Sequence, residues 1–262
     1  MSRRRLDVEL VRRKLVESRT AAQRAIGDGR VEVGGIPEPK PATLVDHTNA
    51  MRLVPGDDRF VGRGGRKLDD ALVGFAVDVR GRSAVDVGAS TGGFTDCLLR
   101  HGVRSVAAVD VGYGQLHWSL RTDDRVTVFE RTNIRDASPK ELGAPFDVVT
   151  ADLSFIGLRL VAGQLAILGD RDADWLLLVK PQFEAGRESV ETGGVVRDPE
   201  ARAAAVCDVA RAFWELGLGA AGVRPSPVPG AKSGNREYVL WLRRDAAPPA
   251  LDEIRAVVIE DG

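Results

Sequence analysis

The first sixty positions alternate between apolar and polar residues in a way that predicts two short helices followed by short strands. In "LDVELVRRKL", Leu6, Leu10 and Val11 recur at helical spacing, with arginines on the other side. Ser18 precedes "TAAQRAI" and is placed to cap a second helix. The segment "RVEV" then alternates as a strand does. The pattern predicts a small α+β domain over residues 1–58.

From about Leu68 onward the pattern changes to repeated units of strand, turn and helix. Five apolar runs, "SAVDV", "SVAAVD", "VTVFE", "FDVVTAD" and "WLLLVK", predict strands separated by crossovers. Such spacing favours parallel pairing in a doubly wound α/β sheet, and "AGVRPSPV" with "EYVLWLRR" would bring the sheet to seven strands. The residues expected to close the five runs are all polar: Asp86, Asp110, Asn133, Asp152 and Lys180.

These patterns predict four segments along the chain. The small domain over 1–58 is followed by a basic interdomain linker over 59–66 and by an α/β domain over 67–245. Residues 246–262, which begin near two prolines, are expected to form a peripheral tail.

Composition is that of an ordinary globular protein, with 44% hydrophobic and 29% charged residues in 262 positions. No apolar run approaches the length that crosses a bilayer, and the N-terminal arginines precede no signal-like apolar segment. These features predict a cytoplasmic protein with no membrane partner. Cys97 and Cys207 lie far apart within expected helices, so the sequence predicts neither a disulfide nor a metal site.

Positive charge is concentrated near the N-terminus. Residues 1–30 hold nine basic and four acidic side chains, a net charge of +5, and residues 59–67 hold four basic side chains and no acidic one. A basic arm on a chain of net charge −1 indicates a polyanionic partner, although a solvated surface would have the same composition.

A glycine-rich bend, "DVGASTGG", follows the first strand of the α/β domain. It lacks the second glycine of the dinucleotide fingerprint and the Gly-Lys-Ser/Thr of a phosphate-binding loop. A carboxylate such as Asp86 in this bend repels phosphate and attracts an ammonium. S-adenosyl-L-methionine carries an ammonium and a sulfonium but no phosphate, and we expect Asp110 to bind its ribose hydroxyls and Asn133 its adenine.

The loops at the strand ends lack the motifs that two kinds of methyl acceptor require, which limits the possible acceptors. The loop "ADLSF" has no prolines of the kind used for exocyclic amines, and neither cysteine lies in a catalytic loop. An aliphatic hydroxyl is the remaining obvious acceptor. If it is a ribose 2′-hydroxyl, a lysine can remove its proton only if the lysine pKa is lowered toward neutrality. Lys180 is the expected base and Lys67 a second cation, with Asp152 and Glu237 fixing their head groups. Surface ion pairs are the alternative explanation for both lysines.

The N-terminal stretch "RLDVELVRRKLVESRTAAQRAIGDGRVEVGG" resembles the S4 domain, a small RNA-binding module. In that family the basic faces of the paired helices contact structured RNA. With the linker included, the resemblance implies RNA contacts from nine arginines: Arg4, Arg5, Arg12, Arg13, Arg19, Arg24, Arg59, Arg63 and Arg66.

The pattern D-x-G-x-x-x-G-G-F, with an acid 24 residues further on, resembles motif I and its partner acid in class I methyltransferases, which have a Rossmann-like fold. The resemblance implies an S-adenosyl-L-methionine site formed by Asp86, Gly88, Ala89, Ser90, Gly92, Gly93, Phe94, Asp110, Val111, Asn133 and Asp152.

Lys67, Asp152, Lys180 and Glu237 occur in the order of the K-D-K-E tetrad of FtsJ-type ribose 2′-O-methyltransferases. The flanking motifs "VGRGGRKL", "ADLSFI", "VKPQFEAGR" and "SGNREYVLWL" are similar to the TlyA family, in which an S4 domain precedes an FtsJ-type domain. This resemblance implies methyl transfer to a cytidine ribose in 23S ribosomal RNA, alone or together with 16S. One departure is "RFV" at 59–61, where dual-target relatives carry R-x-W-V.

Three other functions are weighed against this one. A membrane-active, hemolysin-like protein lacks support from any spanning segment, and a non-catalytic ribosome-assembly factor would not need an intact tetrad. An NAD-dependent oxidoreductase would need a different glycine pattern.

Overall fold

The computed structural model describes residues 3–27, 30–34, 36, 39–53, 59–230 and 234–261. It divides into two compact units, Met1–Arg59 and Phe60–Gly262.

The first unit is built as its hydrophobic pattern predicts. Leu6 and Leu10 on one helix pack against Ala22 on the next, and all three are buried. Ser18 Oγ accepts a hydrogen bond from the backbone N–H of Ala21 at 3.1 Å, which caps the second helix. Two antiparallel strand pairs complete the unit: Arg4–Arg5 with Leu44–Val45, and Val31–Val33 with Met51–Leu53. Its elements are β1 (Arg4–Arg5), α1 (Leu6–Arg12), α2 (Arg19–Gly27), β2 (Val31–Val33), β3 (Leu44–Val45) and β4 (Met51–Leu53).

The second unit alternates strands and helices. In chain order its elements are α3 (Gly64–Phe75), β5 (Ser83–Val87), α4 (Gly93–Arg100), β6 (Ser105–Val109), α5 (Trp118–Arg121), β7 (Val126–Phe129), α6 (Pro139–Leu142), β8 (Phe146–Ala151), α7 (Ala162–Ala166), β9 (Gly169–Val179), α8 (Pro181–Glu184), α9 (Pro199–Trp214), β10 (Gly219–Pro225), β11 (Tyr238–Arg243) and α10 (Leu251–Glu260). Short 3₁₀ turns occur at Leu158–Val161 and Arg187–Ser189.

One seven-stranded sheet runs in the order β10-β11-β9-β8-β5-β6-β7. The pairs from β9 to β7 are parallel, and β11 is antiparallel to both of its neighbours. This confirms the expected α/β class and the mostly parallel sheet. Strand β5 has its successor β6 on one side and the later strand β8 on the other. Such a reversal opens a crevice at the carboxyl ends of the strands, where ligands bind.

Helices cover both faces of the sheet. Trp175 and Phe213 are buried in the larger cluster, on the side of α7, α9 and α10, and the Trp175 indole donates to the backbone oxygen of Leu165 at 2.9 Å. Leu68 and Leu98, on α3 and α4, are buried on the other side. Both faces of the parallel strands are therefore in the core, which explains their nearly continuous apolar sequences.

Residues 60–66, expected to be a linker, lie within the second unit. Phe60 and Val61 pack against the α3–α4 core, and the Val61 N–H donates to Asp96 Oδ2 at 2.8 Å. Helix α3 already begins at Gly64. At Gly65 a Cβ would lie 2.3 Å from the Phe60 ring, so this contact requires glycine. Basic composition suggested a linker, whereas the apolar pair in this segment packs into the domain.

The expected peripheral tail also differs. Residues Leu251–Glu260 form α10, which packs on α9 and buries Ile254 and Val258 in the larger core. The two prolines precede the helix rather than marking a loose end.

We expect Ile254→Ala to lower the free energy of unfolding of the α/β unit by about 2–5 kcal/mol, because it leaves a cavity beneath α10. Ile259→Ala, on the exposed side of the same helix, should change it by no more than about 0.5 kcal/mol. Urea denaturation of both variants measures the difference. Equal effects would show that α10 does not contribute to the core.

Candidate active site

The sheet brings four charged residues to one edge. Asp152 directly follows β8 and Lys180 directly follows β9. Glu237 directly precedes β11, which runs in the opposite direction, and Tyr238 pairs with Val179. The start of β11 therefore lies beside the end of β9. Lys67 comes from α3, which covers the same part of the sheet.

Lys180 and Asp152 form an ion pair in the crevice at the carboxyl ends of the strands, which we call the groove. Lys180 Nζ lies 2.5 Å from Asp152 Oδ1 and donates to Ser154 Oγ at 3.0 Å. Only 8% of Lys180 is exposed to solvent. An amine directed to bulk solvent could not act on a bound substrate, and this amine is held against the strand ends instead.

Lys67 and Glu237 form the second ion pair, in which the Lys67 amine donates to Glu237 Oε2 and both residues are buried. The start of α3 reaches the first pair as well, because a Cβ at Gly64 would lie 3.6 Å from Asp152 Oδ2. The structure thus assembles all four predicted tetrad residues at one edge of the sheet, as two pairs.

The glycine-rich bend follows β5 and approaches Asp152 closely. Gly88 has a φ of +88°, and a Cβ there would lie 2.6 Å from the Asp152 backbone oxygen. Gly92 has a φ of +100° and is the N-cap of α4. At Gly93 a Cβ would lie 2.9 Å from the backbone nitrogen of Gly65, so the glycine lets α3 and α4 approach. Phe94 is buried at this crossing.

Asp110 connects the bend to the next strand end. Its Oδ2 accepts the Ser90 N–H at 2.7 Å and its Oδ1 accepts the Gly112 N–H at 2.6 Å. A pocket with an empty volume of about 220 Å³ opens beside it. The next residue, Val111, is exposed. The pocket is lined by Ala89, Ser90, Ala108, Asp110, Gly112, Gln115, Leu116, Val128 and Glu130.

Asn133 does not line this pocket, and Glu130 does. Strand β7 ends at Phe129, so Glu130 is the residue that directly follows it. The Asn133 side chain instead accepts the Arg135 N–H at 3.2 Å within its own turn. Glu130 pairs with Arg121 and accepts the Gly114 N–H at 2.7 Å. Its place just after an apolar run was the available signal in the sequence.

Asp86 is placed differently from the expectation that its carboxylate faces the ligand. It is fully buried, and Thr95 and Thr150 donate to its two oxygens at 2.6 Å and 3.5 Å. Burial raises the pKa of Asp86 to about 7, and the nearby charge of Asp152 acts in the same direction. Asp86 holds α4 and β8 around the bend from below rather than lining it.

In the first unit, four of the predicted RNA-binding arginines are paired with two buried acids. Arg5 and Arg19 contact Asp7, and Arg12 and Arg13 contact Glu9. Hydrogen bonds from Arg12, then Arg13, hold the pKa of Glu9 near 2, and Arg5 is the main cause of the lowered pKa of Asp7.

The other predicted arginines differ in their surroundings. Arg4, Arg59 and Arg66 are exposed, and Arg63 donates to the backbone oxygen of Pro229. The Arg24 side chain lies outside the described part of the structure. None of the described helices is long and apolar enough to cross a membrane.

Comparison with known families agrees with this geometry. Residues 60–244 match the FtsJ-like methyltransferase family, and residues 4–49 match the S4 domain. The chain belongs to the FtsJ-like methyltransferase family.

Similar proteins share both parts of the chain. A Mycobacterium tuberculosis protein named 16S/23S rRNA (cytidine-2′-O)-methyltransferase TlyA is 54% identical over 93% of this chain and 91% of its own length. Hemolysin A of Brachyspira hyodysenteriae is 36% identical over 90% of this chain and 98% of its own. A solved Streptococcus thermophilus structure with a hemolysin name is 36% identical and covers 99% of this chain and 96% of its own, with a TM-score of 0.77.

Asp86 gives a prediction for the pH dependence of stability. Its pKa rises from 3.8 to about 7 on folding, so between these values the folded protein binds more protons than the unfolded chain. The Asp86 contribution to stability therefore decreases as pH rises through this window and is constant above it. Asp86→Asn removes the titration, so the stability of the variant relative to the wild type should increase from about pH 4 to 7.

Denaturation of both proteins at several pH values measures this difference. Asp78→Asn is the control, because Asp78 is exposed and its lowered pKa of about 2 places its titration below the window. A wild-type minus Asp86→Asn difference that stays constant from about pH 4 to 8 would contradict the assignment.

Proposed function

We propose that this protein transfers a methyl group from S-adenosyl-L-methionine to the 2′-hydroxyl of a cytidine in ribosomal RNA. The observation that carries the proposal is the Lys180–Asp152 pair, held in a groove beside the pocket at the strand ends. The name of the Mycobacterium tuberculosis relative specifies a cytidine 2′-hydroxyl in 16S and 23S rRNA. Ribosomal RNA of both subunits should therefore be tested as the substrate of this protein. A ribosomal substrate also implies action in the cytoplasm.

The pocket fits a cationic nucleoside better than a phosphate-bearing cofactor. Its lining includes the carboxylates of Asp110 and Glu130 and no lysine or arginine. Each oxygen of Asp110 accepts one backbone N–H and keeps capacity for a ribose hydroxyl. We assign Asp110, Glu130, Ser90 and Gln115 to holding S-adenosyl-L-methionine, which supplies an electrophilic methyl group when bound.

Lys180 is the base in this proposal. Its amine, once uncharged, accepts the proton of the attacking 2′-hydroxyl. Asp152 and Ser154 fix Nζ at the end of β9, so the amine cannot rotate away from the groove. Lys67 adds a positive charge on α3, and Glu237 holds its head group in place. In this proposal Lys180 takes the proton, Asp152 orients Lys180, Lys67 supplies positive charge and Glu237 orients Lys67.

Phe155 is proposed to contact the target base. It is 81% exposed, its φ of +67° is rare for a side chain of this size, and its ring centre lies 5.7 Å from that of Phe183. Buried Glu184 accepts the Leu158 N–H and so holds the end of this loop. Backbone strain that the surroundings maintain occurs often at functional sites, and an aromatic face can stack on an unstacked base.

The S4 domain is proposed to bind the RNA backbone. Its arginine-bearing surface supplies contacts to phosphate that do not depend on base identity and weaken as salt concentration rises. The α/β unit would then select and modify one nucleotide.

Lys180→Ala should lower methyl transfer to ribosomal RNA by roughly 10²–10⁴-fold, the usual contribution of a positioned base, while S-adenosyl-L-methionine still binds. Transfer of a tritiated methyl group to separated ribosomal subunits that lack the modification measures the rate. Calorimetry measures cofactor binding to the same variant.

Lys140→Ala is the matched control, because Lys140 lies exposed on α6, outside the pocket and the tetrad. It should behave as the wild type does. Full turnover by Lys180→Ala would refute the role of Lys180, and no transfer by the wild type to either subunit would favour a non-catalytic assembly factor.

Asp110→Ala should weaken S-adenosyl-L-methionine binding by roughly 10- to 100-fold, because it removes hydrogen bonds to a charged acceptor. Asp124→Ala, an exposed carboxylate in the turn before β7, serves as the control and should leave binding unchanged. Calorimetric titration gives both affinities. If Asp110→Ala bound as tightly as the wild type, the pocket would not be the cofactor site.

A further inference from the structure

Three metal-ligating side chains converge behind the active site, on helices α3 and α4. Cys97 lies on α4 and His101, four residues later, is the C-cap of this helix, so the two lie on one face, and Asp69 comes from the facing helix α3. One donor atom from each lies within 4.8 Å of the other two. His101 Nε2 is 2.8 Å from Asp69 Oδ1, so two of the three side chains are already oriented toward each other.

We propose that Asp69, Cys97 and His101 bind a zinc ion that joins α3 to α4. A thiolate, an imidazole nitrogen and a carboxylate oxygen are all zinc ligands, and a water molecule completes the tetrahedron in sites with three protein ligands. A tetrahedral zinc ion places such donor atoms about 3.3–3.6 Å apart, given bond lengths of about 2.0–2.3 Å. The three side chains reach this spacing by moving about 1 Å or less each.

The charge around Cys97 favours a cation over a reactive thiol. Cys97 is buried, and the carboxylates of Asp69, Asp96 and Asp86 lie near it together with the guanidinium of Arg100. Surroundings rich in negative charge do not activate a thiol, so the cluster does not have the character of a Cys-His-Asp catalytic triad. A divalent cation compensates the negative charge, and zinc binding releases the thiol proton to solvent without any redox change.

The location gives the site a consequence for the rest of the domain. Helix α3 carries Lys67, and α4 begins at the glycine-rich bend. Asp69 lies two residues after Lys67 on α3, and Cys97 lies four residues after Gly93 on α4, so the cluster adjoins the elements that carry the active site without including a residue of the tetrad. Side chains of His101 and Asp69 are partly exposed, which gives an ion a path from solvent. Zinc would therefore stabilise the α3–α4 contact without taking part in methyl transfer.

Cobalt(II) titration of chelator-treated, full-length protein tests the proposal, because a cysteine-bound cobalt ion absorbs through thiolate-to-metal charge transfer. We expect one equivalent to bind with this band, zinc to displace it, and zinc to raise the melting temperature. Cys97→Ser should abolish the band. His101→Gln, at a partly exposed position that tolerates the change, should weaken binding at least about 100-fold, more than loss of an outer partner does.

Cys207→Ser is the matched control. Cys207 is also buried in a helix, and its thiol contacts the backbone oxygen of Leu251 at 3.6 Å rather than a histidine or an acid. This variant should bind cobalt as the wild type does. Melting curves without metal establish that each variant is folded. Absence of the charge-transfer band in the wild type, or unchanged binding by folded Cys97→Ser or His101→Gln, would overturn the proposal.

Discussion

Two ion pairs, one buried and one partly buried, constrain this edge of the sheet. Removing one partner of a buried pair such as Lys67–Glu237 leaves an uncompensated charge, which costs about 3–5 kcal/mol. Lys180 is buried as well, and its partner Asp152 has a side chain that is 21% exposed. Their positions follow from strand order. Parallel β8 and β9 place their carboxyl ends side by side, and antiparallel β11 brings the residue before its first position to the same edge.

Helix α3 completes this arrangement because small residues allow it to lie close. Gly93 and Gly65 let the starts of α4 and α3 touch, and Gly64 faces Asp152 and the Phe94 ring. A larger residue at Gly65 or Gly93 would force the start of α3, the helix that carries Lys67, to shift. The glycines of the bend and of "GRGGRK" therefore act on the site by controlling the distance between backbones.

The sequence was sufficient for the parallel strands and for the edge of the sheet where the four charged residues meet. Apolar runs of strand length identify β5, β6, β7, β8 and β9 individually, and parallel pairing puts their ends together. The end of β7 was misplaced, because Glu130 and Asn133 both belong to the polar run "ERTN" and the expectation chose its last residue rather than its first.

The direction of side chains and the contacts between elements far apart in the chain could not be predicted as well from the sequence. Asp86 lies within β5, and the fold alone decides that it points to Thr95 and Thr150 rather than to the bend. The spacing of Cys97 and His101 is visible in the sequence, but Asp69 joins them only through the packing of α3 on α4. Composition likewise could not show that Phe60 and Ile254 pack into the core.

Four arginines of the S4 domain pair with acids, so its basic surface has a lower net charge and more fixed side chains than the sequence alone indicates. Asp7 and Glu9 neutralise two of the four charges, yet the side chains of Arg5, Arg12 and Arg19 remain 42%, 49% and 57% exposed. A guanidinium has five N–H donors, and Arg19 uses its Nε to reach Asp7. The acids therefore fix the direction of these guanidinium groups, which would lower the entropy lost on meeting a phosphate in the proposed RNA complex. Arg13 is different, because its guanidinium donates to Glu9 and to the backbone oxygens of Asp46 and Asn49. Its main role is therefore to stabilise the fold of the first unit. Buried acids lower the net positive charge of this face but hold its guanidinium groups in fixed directions. Fixed directions would suit the proposed recognition of folded RNA better than a flexible cationic arm would.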